Sequence, residues 1–123
     1  MRLRITQALR TYEEQDALYA LGRKLPGKKV TNAKGGESNH NFGIAIDICI
    51  LYDKDNNGTF ETVSWDINNK YFIRVKDYFK SKGLLWGGDW KSFPDYPHFE
   101  INVGKTTPQL KSLTPKGETY PLL

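Results

Sequence analysis

The sequence predicts one α+β domain with a small, mostly antiparallel sheet and two main helices. Three patterns carry this prediction: an alternating apolar strand at residues 44–50, a helical apolar stripe at residues 71–79, and a helix-start signal at Thr11. The chain has 123 residues, of which 26% are charged and 38% hydrophobic. These values are ordinary for one globular domain that needs no disulfide for its core.

The first predicted elements are a strand and a helix. Leu3 and Ile5 alternate with polar residues, which is typical of a short strand. Thr11 and Glu14 form a capping-box pattern, and the apolar residues after it predict a helix that stops at Pro26-Gly27. Residues 26–41 are polar and contain glycines, so they predict a long loop of the kind that often lines a binding site.

The central strand is predicted where Ile44, Ile46, Ile48 and Ile50 alternate with smaller or polar residues. This alternation places the four isoleucines on one face and Asp47 on the other. A carboxylate within so apolar a strand is costly to bury without a cation or strong hydrogen-bond donors. The strand therefore points to a cation near Asp47.

The second half of the chain predicts a helix and two short strands. The stripe at residues 71–79 is followed by Lys80, Lys82 and Gly83, which suit a helix C-terminus. Residues 84–86 predict a short strand, a glycine turn follows, and residues 98–103 predict the last strand. Prolines interrupt the pattern beyond Gly104, so that end is expected to be a packed extension or a tail.

Composition excludes several classes of function. The 18 basic and 14 acidic residues give a net charge of +4 without a basic block, and no nucleic-acid-binding motif is present. No apolar run reaches the length of a membrane span, and the N-terminus lacks the apolar core of a secretory signal. Cys49 is the single cysteine, which excludes an internal disulfide.

The two histidines of the chain carry the functional signal. His40 lies shortly before Asp47, and His98 follows Asp95 by three residues. Two imidazoles and a carboxylate form a common ligand set for catalytic zinc, and a further carboxylate can accept a proton from water. Taken alone, His40 and Asp47 fit a capping histidine and a backbone-bound aspartate equally well. Both histidines in such settings favour a metal, and the absence of soft ligands favours Zn²⁺.

These motifs resemble those of a known family. Ser38-x-His40-x-x-Gly43-x-Ala45-x-Asp47, followed by Asp95-x-Pro97-His98-Phe99, is similar to the VanY-like zinc D,D-carboxypeptidases and their L-alanyl-D-glutamate endopeptidase relatives. The segments at residues 5–23 and 86–93 resemble the endopeptidase branch found in phage endolysins and Bacillus. The similarity covers roughly residues 2–103.

The resemblance implies a role for each matching residue. It makes His40, Asp47 and His98 the zinc ligands and Asp95 the general base that activates the attacking water. It assigns Arg10 to the substrate carbonyl or the oxyanion, and it places Ser38 beside the metal, where it orients the substrate. Glu100 departs from the glutamine usual in relatives, so Glu100 is expected either to compete for the base role or to support His98.

Other polar and aromatic clusters have weaker functional signals. Trp90 is a candidate substrate-binding residue, although most aromatic side chains near His98 are expected in the core. Glu14, Gln15 and Tyr19 are expected to lie on the helix surface and to serve packing rather than chemistry. Asp53, Asp55 and Asn57 follow the start of a calcium loop, but Ser64 stands at the twelfth position. A plain turn is favoured there, and Ca²⁺ is the alternative.

The resemblance implies a zinc-dependent peptidase that hydrolyses peptidoglycan stem peptides, with L-Ala-D-Glu endopeptidase action expected. The alternatives are D-Ala-D-Ala carboxypeptidase or dipeptidase action, and a non-catalytic, metal-stabilised wall-binding module. Residues 1–104 are expected to form the catalytic domain and residues 105–123 a C-terminal extension or tail. A helix that relatives carry before the first strand is hypothesised to be missing. The chain is expected to be a monomer that acts on the cell wall after secretion or phage release, without nucleic-acid partners.

Overall fold

The computed structural model describes residues 2–60 and 62–113 and confirms the α+β class. Its strands and helices are, in chain order, β1 (Arg2–Gln7), α1 (Tyr12–Ala20), β2 (Ala45–Tyr52), β3 (Thr62–Ser64), α2 (Lys70–Ser81), β4 (Leu85–Trp86), β5 (His98–Glu100) and α3 (Thr107–Ser112). Within these described ranges, no helix has the length and apolar character needed to cross a membrane.

The described chain divides into two compact units. One comprises residues 2–7 and 46–102, and the other comprises residues 8–45 and 103–113. The first holds the sheet and α2, and the second holds α1, α3 and the long irregular segment after α1.

The sheet of the first unit has the strand order β1-β2-β5-β4, with β3 also paired to β2. The β1–β2, β2–β3 and β4–β5 pairs are antiparallel. The alternation in β2 buries Ile48 and Ile50 completely, and these side chains pack with Phe72 of α2 and Phe99 of β5. This cluster is the core that supports the strand bearing Asp47.

The predicted limits of two inner strands of the sheet were wrong. Strand β2 begins at Ala45, and Ile44 packs instead with Phe42 and Leu110, so the sheet face carries three of the four isoleucines. Strand β5 ends at Glu100 rather than at residue 103, and Ile101 is 54% exposed. Because Ile101 is largely exposed, an extension of the strand through this residue would not bury its side chain.

The helix signals were right at the start of α1 and wrong at its end. Thr11 and Glu14 form the predicted capping box. The helix stops at Ala20, six residues before Pro26, because Leu21 turns to extended backbone and Gly22 has φ of 75°. Leu25 is 48% exposed, so burial of this residue does not stabilise a longer helix, although its spacing from Leu21 is helical.

Helix α3 lies beyond the predicted domain boundary at residue 104. Thr106 and Gln109 form a capping box for it, and Pro108 lies in its first turn, where a proline is tolerated. Leu110 is fully buried against Phe42 and Ile44. The boundary itself stays a prediction, although residues 105–113 pack as part of the second unit.

Candidate metal centre and active site

Two carboxylates flank the imidazole of His98, the first residue of β5. Its Nδ1 lies 3.3 Å from Oδ1 of Asp47, and its Nε2 lies 2.7 Å from Oε1 of Glu100. Because a carboxylate accepts hydrogen bonds, Nε2 carries the proton and donates to Glu100. The lone pair of neutral His98 is then on Nδ1, on the side of Asp47.

The charge of these carboxylates changes the protonation of His98. Burial alone would lower the pKa of His98, but hydrogen bonds to Asp47 and Glu100, together with their negative charges, raise it to about 9. Without a metal, a second proton therefore stays on the ring at neutral pH. A divalent metal held by Nδ1 of His98 would have to displace this proton.

The sheet fixes the strand positions of Asp47 and His98. Asp47 lies opposite Gln7 at a register shift in β1, and Thr6 Oγ1 donates to its carbonyl oxygen at 3.3 Å. The backbone nitrogen of Ile48 donates to the carbonyl of Pro97 at 3.0 Å, which holds the segment before β5 against β2. The strand pairing thus brings the two side chains together.

A glycine turn positions Asp95. Its backbone nitrogen donates to the carbonyl of Gly87 at 3.0 Å, and its own carbonyl accepts from the nitrogen of His98 at 3.2 Å. A side chain at position 87 would clash with the Asp95 carbonyl, so this turn requires glycine. The Asp95 carboxylate is 45% exposed, and its Oδ2 lies 3.9 Å from His98 Nδ1.

A short 3-10 turn at Asn39–Phe42 holds His40 in the second unit. Ser38 caps the turn by accepting from the backbone nitrogen of His40, and Gly43 ends it with φ of 71°. The ring nitrogen Nδ1 of His40 lies 2.9 Å from the carbonyl oxygen of Ala8, so Nδ1 is the protonated donor. The lone pair of the neutral ring is therefore on Nε2.

Buried amides connect the turn to Arg10. Asn41 is fully buried and donates to the carbonyl of Arg10 at 2.9 Å, while the backbone nitrogen of Arg10 donates to the His40 carbonyl at the same distance. The Arg10 guanidinium donates to Oε1 of Gln15 at 2.7 Å. Gln15, also fully buried, donates to the carbonyl of Ala33 at 2.8 Å.

The three predicted ligands form a group that could hold a metal ion. One ligand atom of each of His40, Asp47 and His98 lies within 4.8 Å of the other two. The donors are two imidazole nitrogens and a carboxylate oxygen, which suit zinc. Each ring also has a hydrogen-bonded acceptor behind it, as histidine ligands in metal sites almost always do. The residues present therefore fit a divalent metal.

The remaining predicted residues fall into different settings. Trp90 is 40% exposed, and its ring centroid lies 5.0 Å from that of His98. The Ser38 hydroxyl accepts from the backbone nitrogen of His40, and the Ser38 backbone nitrogen donates to Oδ1 of Asn41. Glu100, at 15% side-chain exposure, faces the Nε2 side of His98, opposite the Nδ1 side where Asp95 lies.

The candidate calcium loop is organised by its own backbone. Asp53 accepts from the backbone nitrogens of Asn57 and Gly58 at 3.0 and 2.7 Å, and Asp55 accepts from the Asn57 side chain. Desolvation acts to raise the pKa of Asp53, and the hydrogen bonds from Gly58 and Asn57 outweigh it, so the pKa is lowered. These contacts form a turn stabilised by Asp53, and calcium at this loop stays a prediction.

Sequence reasoning missed two buried amides. Gln15 was expected on the helix surface, yet it is buried and holds Arg10. Asn41 lies inside the histidine motif, and the only signal was its place as the third residue of a capping-box pattern after Ser38. Both join segments that are distant in sequence, which a local pattern does not reveal.

Comparison with known proteins gives consistent matches. A family model described as D-alanyl-D-alanine carboxypeptidase matches residues 31–101. The chain is 44% identical over 104 residues to the peptidoglycan L-alanyl-D-glutamate endopeptidase CwlK of Bacillus subtilis, covering 79% of this chain and 59% of CwlK. The structure resembles the L-Ala D-Glu endopeptidase ChiX of Serratia marcescens, with a TM-score of 0.51 and 23% identity over 80% of this chain and 65% of ChiX.

These comparisons confirm the family resemblance seen in the sequence. The chain spans about three fifths of the length of CwlK, and its likeness to ChiX concerns the fold. The family model covers more than half of the chain and includes His40, Asp47, Asp95 and His98. The chain belongs to the D-alanyl-D-alanine carboxypeptidase family of peptidases.

Proposed function

We propose that this chain is a zinc-dependent peptidase that hydrolyses the L-Ala-D-Glu bond of peptidoglycan stem peptides at the cell wall. The observation that carries the proposal is the convergence of His40, Asp47 and His98 within 4.8 Å. CwlK is named as a peptidoglycan L-alanyl-D-glutamate endopeptidase, which supports this substrate and bond. The proposed enzyme acts as a monomer outside the cytoplasm.

Each proposed role follows from the placement of a side chain. His40 would present Nε2 and His98 would present Nδ1 to the metal, since their other ring nitrogens face Ala8 and Glu100. When bound, zinc supplies a Lewis acid that polarises the scissile carbonyl and lowers the pKa of a water molecule. Asp47 supplies the negative charge of the ligand set.

Asp95 is the proposed general base. Its carboxylate is on the Nδ1 side of His98 and is 45% exposed, so water and substrate can reach it. It would accept a proton from the attacking water and deliver it to the leaving amine. Glu100 is less accessible to water and substrate than Asp95, because its side chain is 15% exposed and faces the other ring nitrogen of His98.

Arg10 is the proposed electrostatic partner of the reacting carbonyl. Its backbone is joined to the turn that bears His40, and its guanidinium is oriented by Gln15. A fixed guanidinium can stabilise the negative charge that develops on the carbonyl oxygen. Ser38 and Trp90 are proposed to contact the substrate beside the two histidines.

The test is product analysis on purified muropeptides with zinc-loaded protein. Endopeptidase action releases a peptide with a new N-terminal D-Glu and leaves L-Ala on the sugar. The D,D-carboxypeptidase alternative, favoured by the family description, instead releases D-Ala. Chelation should abolish either activity, and zinc should restore it. Release of neither product by zinc-loaded protein would reject both enzymatic assignments.

Substitution of Asp95 separates an enzyme from a metal-stabilised binding module. Asp95→Asn should retain zinc and lose about 10²- to 10⁴-fold in kcat, the usual contribution of a positioned general base. Asp77, 66% exposed on α2, offers the matched control, and Asp77→Asn should keep wild-type turnover. Wild-type turnover by Asp95→Asn would remove this carboxylate from the mechanism.

A further inference from the structure

Phe93 is an exposed aromatic residue in a strained backbone conformation. Its side chain is 83% exposed, and its φ of 51° lies in the left-handed region that bulky L-residues rarely adopt. Such a conformation is unfavourable for a bulky side chain, and an exposed ring gains nothing from burial. Packing within the protein therefore does not explain this residue.

The loop that carries Phe93 is anchored at both ends. The backbone nitrogens of Trp90 and Asp95 both donate to the carbonyl of Gly87, at 3.3 and 3.0 Å. Pro94 further restricts the backbone of Phe93. Residues 91–94 thus form a closed tip, and the aromatic ring is displayed from a fixed base.

The same loop bears the candidate general base. Asp95 is two residues after Phe93, and the ring of Trp90 lies against that of His98 at 5.0 Å between centroids. Both ends of the tip are therefore beside groups proposed to act on the scissile bond. A ligand that reaches beyond that bond on this side would meet the tip.

We propose that Phe93, with Trp90 at the base of the tip, recognises the sugar ring to which the stem peptide is attached. This inference rests on the proposed function, because L-Ala is joined through a lactyl group to that sugar and the sugar must lie one residue from the scissile bond. The C–H groups of a sugar ring pack against the negative face of an aromatic ring.

The surroundings of Phe93 favour a sugar over a protein or membrane partner. Within the tip, Lys91 and Ser92 are exposed and polar, and the exposed apolar groups are Phe93 and Pro94, with the partly exposed rings of Trp90 and Tyr96 at its base. Aromatic faces beside hydrogen-bonding side chains match a ring that has apolar faces and a polar edge.

The test compares two substrates that differ only in the sugar: a muramyl stem peptide and the same peptide without the sugar. The readout is the ratio of their kcat/KM values. Phe93→Ala should lower this ratio about tenfold, the equivalent of one aromatic contact. Phe93→Tyr keeps the ring and should keep the ratio.

The control variant is Tyr78→Ala, which removes a ring that is 60% exposed on α2, and it should also keep the wild-type ratio. An unchanged ratio in Phe93→Ala would overturn the inference, whether both rates persist or fall together. Cleavage of neither substrate by the wild type would reject the proposed function instead. In that case, Kd values for the two ligands would be measured by calorimetry with the wild type and with Phe93→Ala. The ratio of the two Kd values would then test the sugar contact in place of the kcat/KM ratio.

Discussion

His40 and His98 are both buried, but different groups hold their imidazoles. A neutral backbone carbonyl, that of Ala8, accepts from Nδ1 of His40. A charged side chain, Glu100, accepts from Nε2 of His98, and Asp47 faces the other nitrogen. One histidine is thus oriented by backbone geometry and the other by carboxylate charge.

This difference shows that a histidine ligand can be oriented by two kinds of hydrogen-bond acceptor. A backbone acceptor fixes the ring orientation without adding a formal charge. A carboxylate fixes it as well, and it also raises the basicity of the ring toward a proton or a metal. Substitutions should therefore affect the His98 side more through charge and the His40 side more through folding.

Removal of either imidazole should have the largest effect on metal binding. His40→Ala and His98→Ala should each weaken zinc affinity by more than about 1,000-fold, well beyond the 10- to 100-fold typical of supporting residues. Competition with a chromogenic chelator measures this loss. Wild-type affinity in either variant would remove that histidine from the ligand set.

The metal-free variants should separate the two histidines. In His98→Ala, the Asp47 and Glu100 carboxylates lose the protonated imidazole that lies between them. This loss should lower the free energy of unfolding by about 3–5 kcal/mol at pH 7. His40→Ala leaves a carbonyl without its donor and should cost about 1–3 kcal/mol. Urea denaturation with chelator present measures both, and the reverse order would contradict the comparison.

Substitution of Glu100 tests the charged support directly. Glu100→Ala should weaken zinc affinity 10- to 100-fold, because His98 loses its acceptor. Glu100→Gln keeps an acceptor without charge and should lose less. Glu13→Gln on the exposed surface of α1 is the control. Zinc bound to Glu100→Ala at wild-type strength would show that the charge does not support the ligand.

Substitution of Asn41 tests the support on the His40 side. Asn41→Ala leaves the carbonyl of Arg10 and the backbone nitrogens of Gly36 and Ser38 without partners, and should cost about 2–3 kcal/mol. The exposed Asn68 is the control, and Asn68→Ala should cost under about 0.5 kcal/mol. Equal stability of the two variants in urea would reject a supporting role for Asn41.

Local rules predicted much of the fold. The alternation of β2, the capping box of α1 and the stripe of α2 depend on neighbouring residues, and these elements formed as expected. The early end of α1 and the presence of α3 depend on burial by distant segments. Leu110 of α3 packs against Phe42 and Ile44, which are more than 60 positions earlier in the sequence.

The sequence pattern proposed His40, Asp47 and His98 as metal ligands, but it did not indicate which atoms face one another. The nitrogen that each histidine presents is set by Ala8 for His40 and by Glu100 for His98. Ala8 is 32 positions from His40 and contributes only a carbonyl, which no residue pattern encodes. The same holds for Gly87, whose lack of a side chain admits the Asp95 carbonyl.

The last expected effect is a pH dependence that belongs to His98. Its pKa is about 9 in the folded, metal-free protein and near 6.5 when unfolded. Below pH 6.5 both states hold the proton, and the stabilisation is fully present. As pH rises toward 9 the unfolded state releases the proton first, so this stabilisation is lost.

The difference in Tm between wild type and His98→Gln, measured with chelator, should therefore shrink by roughly ten degrees from pH 6 to pH 9. The variant cancels the titration of other groups, which both proteins share. Zinc affinity should change in the opposite direction, because the metal competes with the proton on Nδ1 and binds more tightly as pH rises. A Tm difference that stays constant across this range would mean that the carboxylates do not hold a proton on His98. The contrast with His40 would then be one of geometry rather than charge.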